Sequence, residues 1–176
     1  MKKALILQGW YQKPSSNWYP WLKTKLEEKG YEVVIPDLPT IHTDFPVWKE
    51  IRQAIIDTNS LNENTLVIGH SLGCLMALRL AEEFKYRKMI LVSGWDFNDL
   101  TPQHQSFWEK PIDHAKIINN VKEIICVGSD NDPYFTYCTT DEMSQRLHGK
   151  AVLVKGAGHF TEKFGVKEIP QILDFV

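Results

Sequence analysis

The sequence predicts an α/β protein, a three-layer α/β/α sandwich around a mostly parallel sheet of about six strands. Three observations carry this: short apolar runs recur along the chain, helix-like segments lie between them, and the runs are apolar throughout rather than alternating. Continuous apolar runs are expected of strands covered on both faces. Strands that alternate with helices pair in parallel through right-handed crossovers. The 176 residues suffice for one domain with a sizeable core and are too few for two of ordinary size. No repeat, low-complexity tract or linker divides them, so residues 1–176 are read as a single domain.

The first run, Ala4-Leu5-Ile6-Leu7, stops at Gln8-Gly9. A helix over 17–29 follows, ended by Gly30, a residue suited to a helix C-terminus. After a strand at 32–35, a helix over 46–58 opens on Pro46, whose fixed φ fits a first helical position. A strand at 65–68 leads into 71–84, which is apolar almost all round and so should be the most buried helix. The fourth strand is 89–92. Residues 94–111 then fit neither period, carrying Trp95, Phe97, Phe107 and Trp108 among polar residues and two prolines. A loop this long in a compact domain is more often functional than idle, so it reads as a short lid-like segment. A helix near 113–119, a strand at 123–127, a helix near 140–147, a strand at 151–154 and a helix near 166–175 complete the order.

Hydrophobic residues make up 43% and charged residues 24%, with a net charge of −2, the composition of a soluble globular protein. That balance gives no electrostatic reason to expect nucleic acid or an anionic membrane as partner. Lys2-Lys3 precede the first apolar run, but four residues fall short of the roughly 7–15 of a signal peptide core. No segment approaches the roughly 18 apolar residues of a membrane helix, and the reading is a cytoplasmic protein. Cys74, Cys126 and Cys138 have neither the number nor the spacing of a disulfide framework or a zinc site. Cys74 and Cys126 sit in apolar stretches and read as small hydrophobes.

The strongest chemical signal is Gly69-His70-Ser71-Leu72-Gly73, a G-x-S-x-G elbow. The pentapeptide alone is common. Here a buried strand runs directly into it and a helix directly out of it. Such a turn reverses the chain within a residue or two and holds the serine in a strained conformation. Its flanking glycines lack the Cβ atoms that would collide, and the hydroxyl stands at a helix N-terminus whose amides can hold an oxyanion. A serine needs a base. His159, in Gly156-Ala157-Gly158-His159-Phe160 after the last strand, falls at the same sheet edge, and its glycines let the loop swing the imidazole over Ser71. The acid should follow the penultimate strand, in Gly128-Ser129-Asp130-Asn131-Asp132-Pro133. Asp132 is preferred because the residue before proline is held extended and projects from the turn. Asp130 is expected to hydrogen-bond its own loop. His70 should point away from the nucleophile and fill the elbow. His42, His104, His114 and His148 show no metal-ligand spacing and read as solvated or capping residues. The second oxyanion donor beside the Leu72 amide should come from Gln8-Gly9-Trp10-Tyr11, with the Trp10 amide the candidate.

On these residues the chain resembles the YdeN-like serine hydrolases, the group that includes the vertebrate retinoblastoma-binding hydrolase. The resemblance spans nearly the whole chain: Gly9-Trp10, the Gly69-to-Gly73 elbow, Gly128-Ser129 with Asp132-Pro133, Gly158-His159-Phe160, and Trp108-Glu109 before the penultimate strand. It implies a compact α/β-hydrolase fold with a six-stranded sheet and the same three residues, Ser71, Asp132 and His159. Where some members carry a glycine-rich run, this chain has Gly9-Trp10-Tyr11-Gln12, whose aromatics would narrow the acyl pocket.

Together these readings predict acyl transfer to water through a covalent intermediate on a small ester-type acyl substrate, with no metal or organic cofactor. Trp10, Tyr11, Trp95, Phe97, Trp108 and Phe160 are expected to give the pocket aromatic walls, unless several of them simply close the core beneath the loops. A thioesterase, amidase or acyltransferase would use the same three residues. A binding or adaptor protein on this fold would be expected to have lost one of them, and all three are present. The sequence indicates no protein partner.

Overall fold

A computed structural model describes residues 2–176. Six strands form one all-parallel sheet in the order β2-β1-β3-β4-β5-β6. They are β1 (Lys2–Leu7), β2 (Tyr31–Val34), β3 (Thr65–His70), β4 (Lys88–Val92), β5 (Ile124–Ser129) and β6 (Lys150–Val154). Between them run α1 (Tyr19–Glu28), α2 (Trp48–Asp57), α3 (Leu72–Ala81), α4 (His114–Asn120) and α5 (Tyr137–Arg146). The order reverses direction after β2, so the loops leaving β1 and β3 open side by side at the carboxyl end of the sheet, where ligands bind in open α/β sheets.

Successive residues of each strand point to opposite faces, and two apolar clusters result. One gathers Leu5, Leu7, Val67, Met89, Leu91 and Cys126 with α2, α3 and α4; the other gathers Ala4, Ile6, Ile68, Ile90, Val92 and Val127 with α1 and the C-terminal segment. Strands β3, β4 and β5 are buried along their whole length, as continuous apolar runs predict. Edge strand β6 is not: its face is partly open and Leu153 is 39% exposed. All ten residues of α3 are buried, which puts the helix behind the elbow in the centre of the molecule.

Three expected elements differ. Helix α2 starts at Trp48 with Val47 as its N-cap, so Pro46 precedes the helix and does not open it. The final helix contracts to a 3₁₀ segment, Pro170–Phe175. Pro170 lacks an amide hydrogen and holds Ile169 out of helical geometry, at φ −132° and ψ 76°. Residues 94–111 contain a 3₁₀ turn, Pro102–Phe107, and are fastened to α3 by the buried Arg79. Its guanidinium pairs with buried Glu82 at 3.1 Å, donates to the carbonyls of Phe107 (2.8 Å), Pro111 (3.2 Å) and Lys110, and lies 5.3 Å from the Trp108 ring. Among the described residues no helix is long and apolar enough to cross a membrane.

Candidate active site

Ser71 occupies the single position between β3 and α3 with φ 52° and ψ −120°. A non-glycine residue holds such a conformation only where its surroundings impose it, at a cost of about 1–3 kcal/mol. The surroundings here are explicit. A Cβ on Gly69 would lie 2.5 Å from the Gly73 carbonyl oxygen, and one on Gly73 would lie 2.1 Å from that of Leu7. Strand and helix therefore approach as closely as bare backbone allows. The Ser71 amide donates to the Val92 carbonyl at 2.9 Å and pins the turn to the end of β4.

The candidate base, His159, comes from the loop after β6. His159 Nε2 stands 2.9 Å from Ser71 Oγ, and Nδ1 stands 2.9 Å from Asp132 Oδ2. A carboxylate only accepts, so Nδ1 carries the hydrogen and Nε2 presents its lone pair to the serine hydroxyl. Asp132 Oδ2 also accepts from Ser93 Oγ at 2.7 Å, while Oδ1 accepts from the amides of Tyr134 (2.9 Å) and Phe135 (3.3 Å). Burial alone would raise the Asp132 carboxyl. The His159 imidazole, the Tyr134 amide and the Ser93 hydroxyl outweigh it and hold the group below the usual aspartate value.

Asp130 does not close on its own loop. Its carboxylate accepts from the Gly156 amide at 2.7 Å, Asn131 Oδ1 accepts from Gly158 at 2.7 Å, and Ser129 Oγ accepts from Ala157 at 3.0 Å. The turn that carries Asp132 thus clamps three successive amides of the loop that carries His159. From the other side, Trp18 Nε1 donates to the Phe160 carbonyl at 3.0 Å and Asn17 Oδ1 accepts from Glu162 at 3.0 Å.

His70 does fill the elbow, and it also joins the two sides of the site. Its Nε2 lies 2.9 Å from the His159 carbonyl, so this nitrogen carries the hydrogen, and Nδ1 accepts from Tyr19 Oη at 2.6 Å. Tyr19 Oη in turn accepts from the Gly9 amide at 3.2 Å. Burial, reinforced by repulsion from His159, lowers the His70 pKa to about 3, so the ring stays neutral at working pH.

Ser93 has no counterpart in the sequence reading. It is buried, adopts φ 50° at the end of β4, and shares Asp132 Oδ2 with the imidazole. Replacing Ser93 with alanine should lower kcat about tenfold, in line with the loss of one charge-assisted hydrogen bond, with KM little changed. Steady-state kinetics of Ser93→Ala, with a thermal melt beside them, check this.

A cavity of about 670 Å³ opens over Ser71 and His159, with Trp10, Leu72, Trp95, Tyr134, Phe135 and Phe164 among its walls. Of the aromatics expected there, Trp10 and Trp95 are present and four are elsewhere. Tyr11 turns outward to hydrogen-bond Asp44, and Phe97 is 46% exposed. Trp108 packs on Arg79, and Phe160 lies in the core beneath the loop. Tyr134 and Phe135 take their places, with Tyr134 4.8 Å from the His159 ring. Their position directly after Asp132-Pro133 was the available sequence signal. Trp10 and Leu72 both line the cavity, and neither backbone amide has an acceptor among the described residues.

A profile described as serine hydrolase matches residues 4–176 of the chain. The YdeN protein of Bacillus subtilis is 29% identical over 179 residues, which cover 98% of this chain and 93% of that one. Its crystal structure superposes with a TM-score of 0.88 over 99% of this chain and 96% of that one, at 28% identity. The serine hydrolase RBBP9 of Rattus norvegicus is 29% identical over 164 residues, 90% of this chain and 87% of that one. At 14% identity and a TM-score of 0.74, Est1E of Butyrivibrio proteoclasticus with bound ferulic acid shares the fold over 92% of this chain and 82% of that one.

Proposed function

The chain belongs to the serine hydrolase family, and on that premise we propose that it hydrolyses small esters through an acyl-enzyme on Ser71. The observation that carries this reading is the unbroken chain Ser71 Oγ–His159 Nε2, His159 Nδ1–Asp132 Oδ2, each link 2.9 Å. His159 takes the hydroxyl proton as Ser71 attacks the ester carbonyl. Asp132, kept ionised, holds the Nδ1–H tautomer and balances the imidazolium that forms. The carbonyl oxygen becomes an oxyanion held by the Leu72 amide at the start of α3 and by the Trp10 amide, each such donor contributing about 2.7–4 kcal/mol at the transition state. His159 then returns the proton to the leaving alcohol. Water attacks the acyl-enzyme by the same route, releasing the acid and restoring Ser71.

The pH dependence tests this assignment. The Asp132 pKa is held below the usual aspartate range and that of His70 lies near 3, so neither changes charge between pH 5 and 8. Loss of activity toward acid should therefore follow a single protonation, that of the base. The profile is best kept above pH 5. His70 has a depressed folded pKa, so its contribution to stability is lost as pH falls from the unfolded value of about 6.5 toward 3. Measuring kcat/KM for p-nitrophenyl acetate and butyrate from pH 5 to 9 distinguishes the cases. A one-proton limb supports the mechanism, and a flat profile excludes His159 as base.

A further inference from the structure

Among the described residues, six buried side-chain nitrogen or oxygen atoms have no hydrogen-bond partner. Four belong to Gln8, Tyr86, Arg87 and Trp108, none of which lines the cavity over Ser71. The other two, Trp95 Nε1 and His104 Nε2, belong to residues that do. Trp95 is 2% and His104 8% exposed, and their ring centroids are 5.5 Å apart. His104 also meets Trp10, the candidate oxyanion-loop residue, edge-on at 5.2 Å.

The chemistry of the pair is defined by its one visible partner. His104 Nδ1 lies 3.1 Å from Asp99 Oδ2, and because the carboxylate accepts, Nδ1 carries the hydrogen. In the neutral ring Nε2 is then a lone-pair acceptor. Trp95 Nε1–H can only donate. Two residues that line the cavity thus carry a donor and an acceptor on neighbouring rings, both buried and both unanswered by protein. Each such group is costly to leave unmet. A hydroxyl answers both at once, accepting from the indole and donating to the imidazole. A methyl ether, a halogen or a plain alkyl group cannot.

We propose that Trp95 and His104 form a subsite for a substrate hydroxyl, so that the esters this enzyme prefers are hydroxyacyl or hydroxyaryl esters. Both atoms are shielded from solvent, so the ligand reaches them by turning the two rings apart. Asp99 positions His104 and fixes its tautomer. That the ligand is an ester rests on the hydrolase reading above; the subsite itself does not.

Two matched pairs test it: methyl 4-hydroxyphenylacetate against methyl phenylacetate, and methyl 3-hydroxybutyrate against methyl butyrate. Binding is measured first, by tryptophan fluorescence titration of Ser71→Ala protein, where no turnover intervenes. The hydroxylated partner of at least one pair should bind about tenfold more tightly, since a site built to hydrogen-bond a hydroxyl rejects the analogue lacking it. In Ser71→Ala/His104→Phe that preference should disappear. Trp95→Phe in the same background is the second variant, and thermal melts confirm that each remains folded. Equal or undetectable binding across both pairs would overturn the subsite, as would a preference that survives both replacements. The same esters are then offered to the wild type. A binding preference without any turnover would sink the hydrolase reading and leave the subsite standing.

Discussion

Ser71→Ala should abolish ester turnover, lowering kcat about 10⁶-fold toward the background left by the oxyanion donors and substrate binding. The fold should survive, because alanine meets the same backbone conformation at φ 52° and loses only a hydroxyl whose partner is His159 Nε2. His159→Ala should cost about as much, and the double variant little more than either. A nucleophile and its base act as one unit, and removing the second member of a broken unit changes nothing further. Turnover measurements on the three variants, each with a thermal melt beside it, check both the size of the loss and its failure to add.

Asp132→Asn should cost about 10⁴-fold in kcat, the scale seen when a triad carboxylate becomes an amide. The surroundings of Asp132 give a specific reason. Oδ1 accepts from the Tyr134 and Phe135 amides, so the carbonyl of an asparagine must stay on that side. Its NH₂ group then faces His159 Nδ1 and Ser93 Oγ, where Oδ2 now accepts. An NH₂ donor opposite Nδ1 forces the imidazole proton onto Nε2, and a protonated Nε2 cannot take the Ser71 proton. The expected observation is low kcat with KM close to wild type, together with loss of the downfield Nδ1 proton resonance of His159. A variant that kept wild-type kcat would mean that Asp132 does not set the tautomer.

The sheet was legible because burial on both faces writes itself into composition: residues 65–68, 89–92 and 123–127 read as apolar runs and form the fully buried β3, β4 and β5. The order of strands and helices followed from that pattern. Helix ends were less legible. Residues 166–175 look helical by composition, yet Pro170 limits them to a 3₁₀ turn. The elbow and the residues around Asp132 and His159 could be placed because each follows a strand, and parallel strands deliver their ends to one edge. Contacts made by polar side chains across loops were not legible. Nothing local in Ser93, or in Asp130 and Asn131, announces that they hold Asp132 and the 156–158 amides. Aromatic residues were the hardest to place. Trp95 and Phe97 are two apart in sequence, and one is buried on the cavity wall while the other is in solvent. Composition does not distinguish them; only the path of the loop does.

The mechanism stands on Ser71 being an activated nucleophile. The most direct measurement is fluorophosphonate labelling of the folded protein, with the modified residue located by mass spectrometry. One adduct is expected, on Ser71, absent from Ser71→Ala and strongly reduced in His159→Ala. Labelling elsewhere, or no labelling of a correctly folded wild type, would contradict it.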